Sequence, residues 1–255
     1  MIDIHCHILP NIDDGAKHLE DSVAMAKAAV AQGIDTIIAT PHHKNGSYNN
    51  TKSTILPLVE LVNARLEAED VPLTVLPGQE TRIYGEMVED YDLGKLLPLN
   101  QTSDYIFVEL PSNSVPRFTN QLLFDLQVHD LKPIIVHPER NKAIMEHPNL
   151  LFEMVRNGAL TQVTAASVAG KFGKKIKGFS QDLIEANLTH FIASDAHNIT
   201  TRGFCNQEAN TVIKDTFGHA MLYYFMENAQ YIVENETVIG HEPERIKKKK
   251  FMGLF

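Results

Sequence analysis

Six of the seven short β-type runs in this chain end on, or just before, a histidine or a carboxylate. The runs cover residues 1–5, 34–40, 73–76, 105–110, 133–137, 160–164 and 191–194. His5 and His7 close the first, His42 follows the second and Glu80 the third; Glu109 and His137 close the fourth and fifth, and Asp195 and His197 follow the seventh. Only the sixth, ending at Thr164, brings neither residue type. Between the runs lie segments of helical period, in which Ile55, Val59, Val62 and Leu66 share one face, as do Leu122, Leu123 and Leu126. Asn149 is placed to cap a further helix with Leu151, Met154 and Val155 on its inner face and Gly158 at its end. Strand-helix alternation repeated seven times predicts an α/β fold with a parallel sheet, open or closed. The polar residues separate these two. In a parallel barrel the carboxyl ends of all strands open onto one face, where reactive groups gather, so this pattern favours a closed barrel with one polar mouth.

Composition narrows the function classes. The chain has 23 Lys and Arg against 32 Asp and Glu, a formal charge of −9, which disfavours general nucleic-acid binding because phosphate affinity comes mainly from basic side chains. Its two cysteines, Cys6 and Cys205, cannot build a disulfide framework. No run reaches the ~20 apolar residues of a membrane span, and no signal-peptide pattern opens the chain. The expectation is one soluble, cytoplasmic domain over residues 1–240 and a basic tail over 241–255. In that tail Arg245 and Lys247, Lys248, Lys249 and Lys250 precede Phe251, Met252, Leu254 and Phe255. Such a run serves as a solubilising end or as a peripheral contact with anionic lipid.

The motifs carry the chemistry. In DIHCHILPNIDDG (residues 3–15), His5 and His7 are two apart, so on an extended strand they face the same side and can grip one ion. Asp13 and Asp14 follow in a turn closed by Gly15. ATPHH (39–43) sets His42 and His43 beyond a buried strand, and LPGQE (76–80) puts Glu80 after a glycine that permits close backbone approach. FVELP (107–111) ends an apolar strand on Glu109, an awkward residue to bury without a cation. VHPERN (136–141) and ASDAHN (193–198) contribute His137, Asp195 and His197. Five histidines and four carboxylates at one rim are too many for a single ion and suit two or three.

In this order the motifs HxH, PHH, a mid-chain Glu, HPER and SDAH resemble the PHP (polymerase and histidinol phosphatase) superfamily of metallophosphoesterases. DIHCHILPNIDDG with SDAHN is closer still to its CpsB/YwqE-type branch, the manganese-dependent protein-tyrosine phosphatases of capsule and exopolysaccharide loci. The resemblance runs from Met1 to about Tyr231. It implies a distorted (β/α)7 TIM-like barrel with a metal site at the C-terminal mouth of the strands. Carried over, it implies one ion on His5, His7, Glu80 and Asp195, with Glu80 bridging to a second ion on Glu109 and His137. A third ion would take Asp14, His42 and His197. Carboxylates at Asp14 and Glu109 shift the preference towards Mn or Fe over Zn. His43 has no assigned role, and residues 44–50 read as a loop over the mouth or a plain surface loop.

The mechanism the resemblance implies is in-line attack on phosphorus by water activated on metal, with Arg140 and Arg202 as bidentate phosphate-binding residues. A phenol, pKa ~10, leaves more readily than an alkoxide, which lowers the demand for a general acid. The implied substrate is a phosphotyrosine protein, an autophosphorylated bacterial tyrosine kinase. A thiol route needs Cys-x5-Arg, and six residues beyond Cys6 and Cys205 stand Ile12 and Thr211. The alternatives are a phosphatase for a small phosphomonoester such as histidinol phosphate, a phosphodiesterase, and a sensor whose metals are structural.

Overall fold

The computed structural model describes residues 1–247. In chain order its elements are β1 (Ile2–Cys6), α1 (Leu19–Ala31), β2 (Thr36–Ala39), β3 (His42–His43), α2 (Lys52–Ala68), β4 (Thr74–Pro77), β5 (Glu80–Arg82), α3 (Met87–Asp92) and β6 (Tyr105–Glu109). There follow α4 (Thr119–Val128), β7 (Lys132–Val136), a 3-10 turn (Pro138–Arg140), α5 (Lys142–Glu146), α6 (Asn149–Arg156), β8 (Leu160–Thr164), α7 (Ala165–Ala169), α8 (Lys174–Glu185), β9 (Phe191–Ala193), α9 (Asn206–Phe217) and α10 (His219–Glu234).

All ladders are parallel, in the orders β1-β2-β4 and β3-β5-β6-β7-β8-β9. The two sheets are one barrel wall with two broken staves. Thr40 and Pro41 separate β2 from β3, and Gly78 with Gln79 separates β4 from β5. Pro41 has no N–H for the ladder, so pairing lapses there and resumes with the same neighbour. The backbone N–H of Glu80 donates to Pro41 O across the break. Where the sequence pattern leaves His42 and Glu80 beyond the strands, the structure gives each a short strand of its own. Gly78 is required here, since a Cβ would lie 2.7 Å from Ile38 Cγ2. The last stave closes on the first: Asp195 N donates to His5 O at 2.8 Å, His7 N to Ala196 O at 2.9 Å, and Ser194 N to the buried Asp3 Oδ1 at 2.8 Å.

Strand alternation divides the core. Tyr105 and Phe107 of β6 pack with Ile38, Ile134, Val136 and Phe191, whereas Ile106 and Val108 pack with Leu122, Leu126 and Leu151 of the covering helices. The periodic faces read from sequence are the buried ones: Ile55, Val59, Val62 and Leu66 in α2, and Leu122, Leu123 and Leu126 in α4. Asn149 does not cap α6. Pro148 holds the N-cap position and Asn149 is the first helical residue, because proline at the boundary already fixes the entering backbone.

Past α10 the chain straps back over the helices. Glu244 N bonds Ala186 O, Arg245 pairs with Glu153 at 2.7 Å and lies over the Phe152 ring, and Ile246 packs against the core. The lipid-contact reading of Lys248, Lys249, Lys250 and the aromatic end falls on residues 248–255, outside the described residues. No described helix is long and apolar enough to cross a membrane.

Candidate metal centre

The barrel mouth collects the polar strand ends. His5 Nε2 and His7 Nε2 are 3.4 Å apart, and each lies 3.4–3.5 Å from both Glu80 Oε2 and Asp195 Oδ1. These separations are long for hydrogen bonds. They are the separations expected between neighbouring ligands of one divalent transition metal held about 2.1 Å from each, with Glu80 and Asp195 on either side of the histidine pair. All four side chains are buried. The opposite faces of the two rings are fixed: His5 Nδ1 meets Gln162 Oε1 at 2.8 Å and His7 Nδ1 meets Asp13 Oδ2 at 2.7 Å. Both Nε2 lone pairs are thereby turned inward.

Nearer solvent, Asp14 Oδ1 lies 3.4 Å from His42 Nε2 and 3.3 Å from His197 Nε2. The His197 ring stacks on His7, centroids 3.7 Å apart. On its other side His42 turns Nδ1 to Glu80 Oε2 at 2.8 Å and to Glu109 Oε2 at 3.8 Å. His137 enters through Glu80, its Nε2 being 2.7 Å from Oε1. The groups His5, His7, Glu80; His7, Asp14, His42, His197; and His42, Glu80, Glu109 each bring their ligand atoms within 4.8 Å of one another. His43 does not join them. It is buried, against the edge of Tyr84, and neither ring nitrogen has a hydrogen-bond partner among the described residues.

The electrostatics ask for positive charge. Burial and the neighbouring Glu80 push Glu109 up to about 7. Burial opposes charge on His42, but Glu80 and Asp14 together outweigh this and push the imidazole up to about 10. Burial pushes His137 and His197 down to about 4, helped by Arg140 and by His7 respectively, which keeps them as neutral ligands. Burial would also raise Asp195, yet Arg140 holds it well below the usual carboxylate range. Glu80 Oε2, His42 Nδ1 and His197 Nε2 are buried without a hydrogen bond of acceptable geometry. Groups this costly to bury are compensated when they converge on a cation, so the residues present fit a multinuclear divalent site.

Both predicted arginines stand at its edge. Arg140 Nη2 bonds Asp195 Oδ2 at 2.5 Å; Arg202 Nη1 bonds Asp14 Oδ2 at 3.1 Å and its Nη2 lies 3.7 Å from Asp195 Oδ2. They share a cavity of about 250 Å³ with His42, Glu109, His137 and Asp195. The backbone bends sharply to deliver these groups: His137 and Asp195 hold φ of +37° and +52°, a region non-glycine residues enter at a cost. Asn198 Oδ1 accepts from the backbone N–H of Thr200, Thr201 and Arg202, which shapes the loop carrying Arg202.

Two supporting residues, Arg82 and Gln162, escape the motif reading, and a third, Asp13, enters it only as a turn residue. Arg82 forks onto Glu109 at 2.9 and 3.0 Å, Gln162 orients His5, and Asp13 orients His7. Arg82 lies two residues beyond Glu80, so strand alternation sets it on the same face, whereas no sequence signal marks Gln162 or Asp13 as partners.

Fold and site together define a TIM-like barrel with a histidine-carboxylate cluster at the carboxyl ends of its strands. An organophosphorus hydrolase from Deinococcus radiodurans shares the fold at TM-score 0.57 and 11% identity, covering 91% of this chain and 92% of that one. The chain belongs to the CpsB/CapC family of capsular polysaccharide synthesis, whose model matches residues 1–234. It is 51% identical over 255 residues to the tyrosine-protein phosphatase YwqE of Bacillus subtilis (strain 168), and 39% over 256 residues to the putative tyrosine-protein phosphatase CapC of Staphylococcus aureus, with all of each chain covered. It is 27% identical over 246 residues to the tyrosine-protein phosphatase CpsB of Streptococcus pneumoniae, covering 93% of this chain and 100% of that one. A crystal structure from the pair YwqE of B. subtilis and CpsB of S. pneumoniae, described as unique metal-dependent tyrosine phosphatases, matches at TM-score 0.95 and 51% identity, covering 97% of this chain and 100% of that one.

Proposed function

We propose that this chain is a metal-dependent protein-tyrosine phosphatase, that its resident ions are manganese, and that its substrate is an autophosphorylated bacterial tyrosine kinase of a capsule or exopolysaccharide system. The observation that carries the reading is the buried pair His5 and His7, each within 3.5 Å of both Glu80 and Asp195, with two arginines at the rim. His5, His7, Glu80 and Asp195 would hold one ion, Glu80, Glu109 and His137 a second, and Asp14, His42 and His197 a third. Oxygen donors at Asp14, Glu80, Glu109 and Asp195 favour a harder ion than zinc. When bound, such cations supply Lewis acidity, acidifying water and neutralising phosphoryl charge.

The chain's own residues do the remaining work. Arg140 and Arg202 flank Asp195 and present guanidinium forks to the non-bridging phosphoryl oxygens. The small cavity they line admits one phosphoryl group. Neither thiol takes part: Cys6 is buried, with Sγ on Ala196 O, and Cys205 sits beside α9, with Sγ on Gly203 O. A phenolate leaving group, pKa ~10, departs without a dedicated acid.

The test is a panel of phosphotyrosyl peptide, phosphoseryl peptide, histidinol phosphate and a phosphodiester, assayed with added Mn alongside elemental analysis. Preferential turnover of the phosphotyrosyl peptide by metal-loaded protein is the expected result. Preference for histidinol phosphate or the diester would move the assignment to those classes, and turnover of none would leave a binding protein.

A further inference from the structure

We infer that Asp13, which ligates none of the proposed ions, is a positioning residue that sets how tightly the solvent-side place formed by Asp14, His42 and His197 holds its cation. The inference rests on the ligand reading above. The Asp13 side chain is fully buried, and its carboxylate accepts three hydrogen bonds: His7 Nδ1 at 2.7 Å and the backbone N–H of His42 at 3.1 Å on Oδ2, and the backbone N–H of Gly15 at 2.8 Å on Oδ1. One carboxylate therefore ties together the end of β1, the start of β3 and the turn that carries Asp14. Asp14 is its covalent neighbour, His42 hangs from it by the main chain, and His197 stacks on the ring it holds.

The contrast with His5 sharpens the role. His5 is oriented by the neutral amide of Gln162, whereas His7 is backed by a carboxylate, which both fixes its tautomer and raises its basicity towards a metal. Asp14 is about two-fifths exposed while His5 and Glu80 are wholly buried. The solvent-side place thus has the least packing to hold it and the most to lose when its anchor goes. A turn-forming role alone would need only the bond to Gly15.

Asp13→Asn keeps the shape but turns one oxygen into a donor, so the side chain can no longer accept from both Gly15 and the His7–His42 pair. The experiment is stepwise Mn titration by calorimetry of the metal-stripped full-length protein, with thermal unfolding of the same samples in chelator. The expected result is loosening of the weakest Mn step by about 10–100-fold, the usual cost of losing a partner behind a metal ligand, with little change in the metal-free midpoint. Asp13→Glu, which keeps the charge but displaces it, is expected to fall between wild type and Asn. Unchanged Mn affinity in both variants overturns the inference, as does loss of folding by both in metal-free buffer, which would make Asp13 purely architectural. Wild-type protein that binds no Mn would instead bring down the ligand reading itself.

Discussion

His5 Nε2 and Asp195 Oδ1 stand 3.5 Å apart, although one lies near the end of the first strand of the barrel and the other follows the last. The same residues share a backbone bond, Asp195 N to His5 O. Barrel closure and assembly of the site are therefore one event: the register that joins β9 to β1 also sets the spacing of these two side chains.

Glu80 is where that assembly is most exposed to mutation, since its two oxygens face His5, His7, His42 and His137. Glu80→Gln replaces an oxygen acceptor with an amide donor at the centre of the cluster. Bound Mn is expected to fall by at least one ion per chain, and phosphotyrosyl-peptide hydrolysis by about 100-fold or more, beyond the ~10–100-fold that losing a partner behind a ligand costs. Elemental analysis and steady-state kinetics on the same preparation read both.

Chelation and thiol removal should have opposite effects. Cys6 Sγ is buried, and its pKa is pushed well up by burial and by Asp3, so it does not supply a reactive thiolate. The double variant Cys6→Ala, Cys205→Ser is expected to keep activity within about threefold, while EDTA abolishes it and lowers the melting temperature, because ligand-linked stability is lost with the ligand. Activity that survives EDTA but not the double substitution would reverse the assignment.

Arg140→Lys tests the phosphate fork without removing charge from beside Asp195. A lysine ammonium is a point charge and cannot reproduce two parallel N–H donors. With metal content unchanged, kcat/KM for the phosphotyrosyl peptide is expected to drop about 10–100-fold, somewhat less than for outright loss of a preorganised donor. A wild-type value would place Arg140 in support of Asp195 alone.

Much of this site is legible in the sequence because a histidine or carboxylate at the end of an apolar strand is expensive unless something answers it, and Glu109 and Asp195 announce themselves that way. Other parts leave no such mark. Strands of two or three residues have no period to read, so β3 and β5 emerge only from their pairing with each other beyond the two breaks. Arg82, Gln162 and Asp13 belong to residue types common on any surface, and only the packed geometry makes them partners of Glu109, His5 and His7. His43 is the reverse case: it adjoins His42 in sequence, yet one step along a strand turns it to the other face, against Tyr84.

Acid sensitivity can be located away from the site. His190 is buried, its Nδ1 accepts from Thr161 N at 3.1 Å, and burial, with His241 nearby, pushes it down from 6.5 to about 4. The native state keeps it neutral, while the unfolded chain takes up a proton below 6.5. Its contribution is thus complete above pH 6.5 and is lost as pH falls towards 4, by up to about 3 kcal/mol. Asn can still accept from Thr161 N but does not titrate. Denaturant unfolding of wild type and His190→Asn in chelator should give a difference that is flat above pH 6.5 and shifts in favour of the variant below it. A difference independent of pH would show that His190 does not govern the acid limb.

Gly15 makes the most direct test of how the first turn holds the site. A Cβ there would lie 2.6 Å from His7 Cβ and 2.9 Å from His7 C, and would collide with the His7 carbonyl oxygen that accepts from Ala16 N. These are main-chain neighbours that cannot rotate aside, so Gly15→Ala must displace either the turn bearing Asp13 and Asp14 or His7 itself. Overpacking of this kind costs about 1–3 kcal/mol. Here the strain falls on ligand positions, so Mn affinity should drop together with the melting temperature. Gly85, whose Cβ would meet nothing within 4 Å, supplies the control: Gly85→Ala is expected to leave Mn binding unchanged and to be neutral or slightly stabilising. Calorimetric Mn titration and thermal melts of the two variants side by side separate pressure on His7 from the general effect of adding a methyl group, and equal behaviour of the two would refute it.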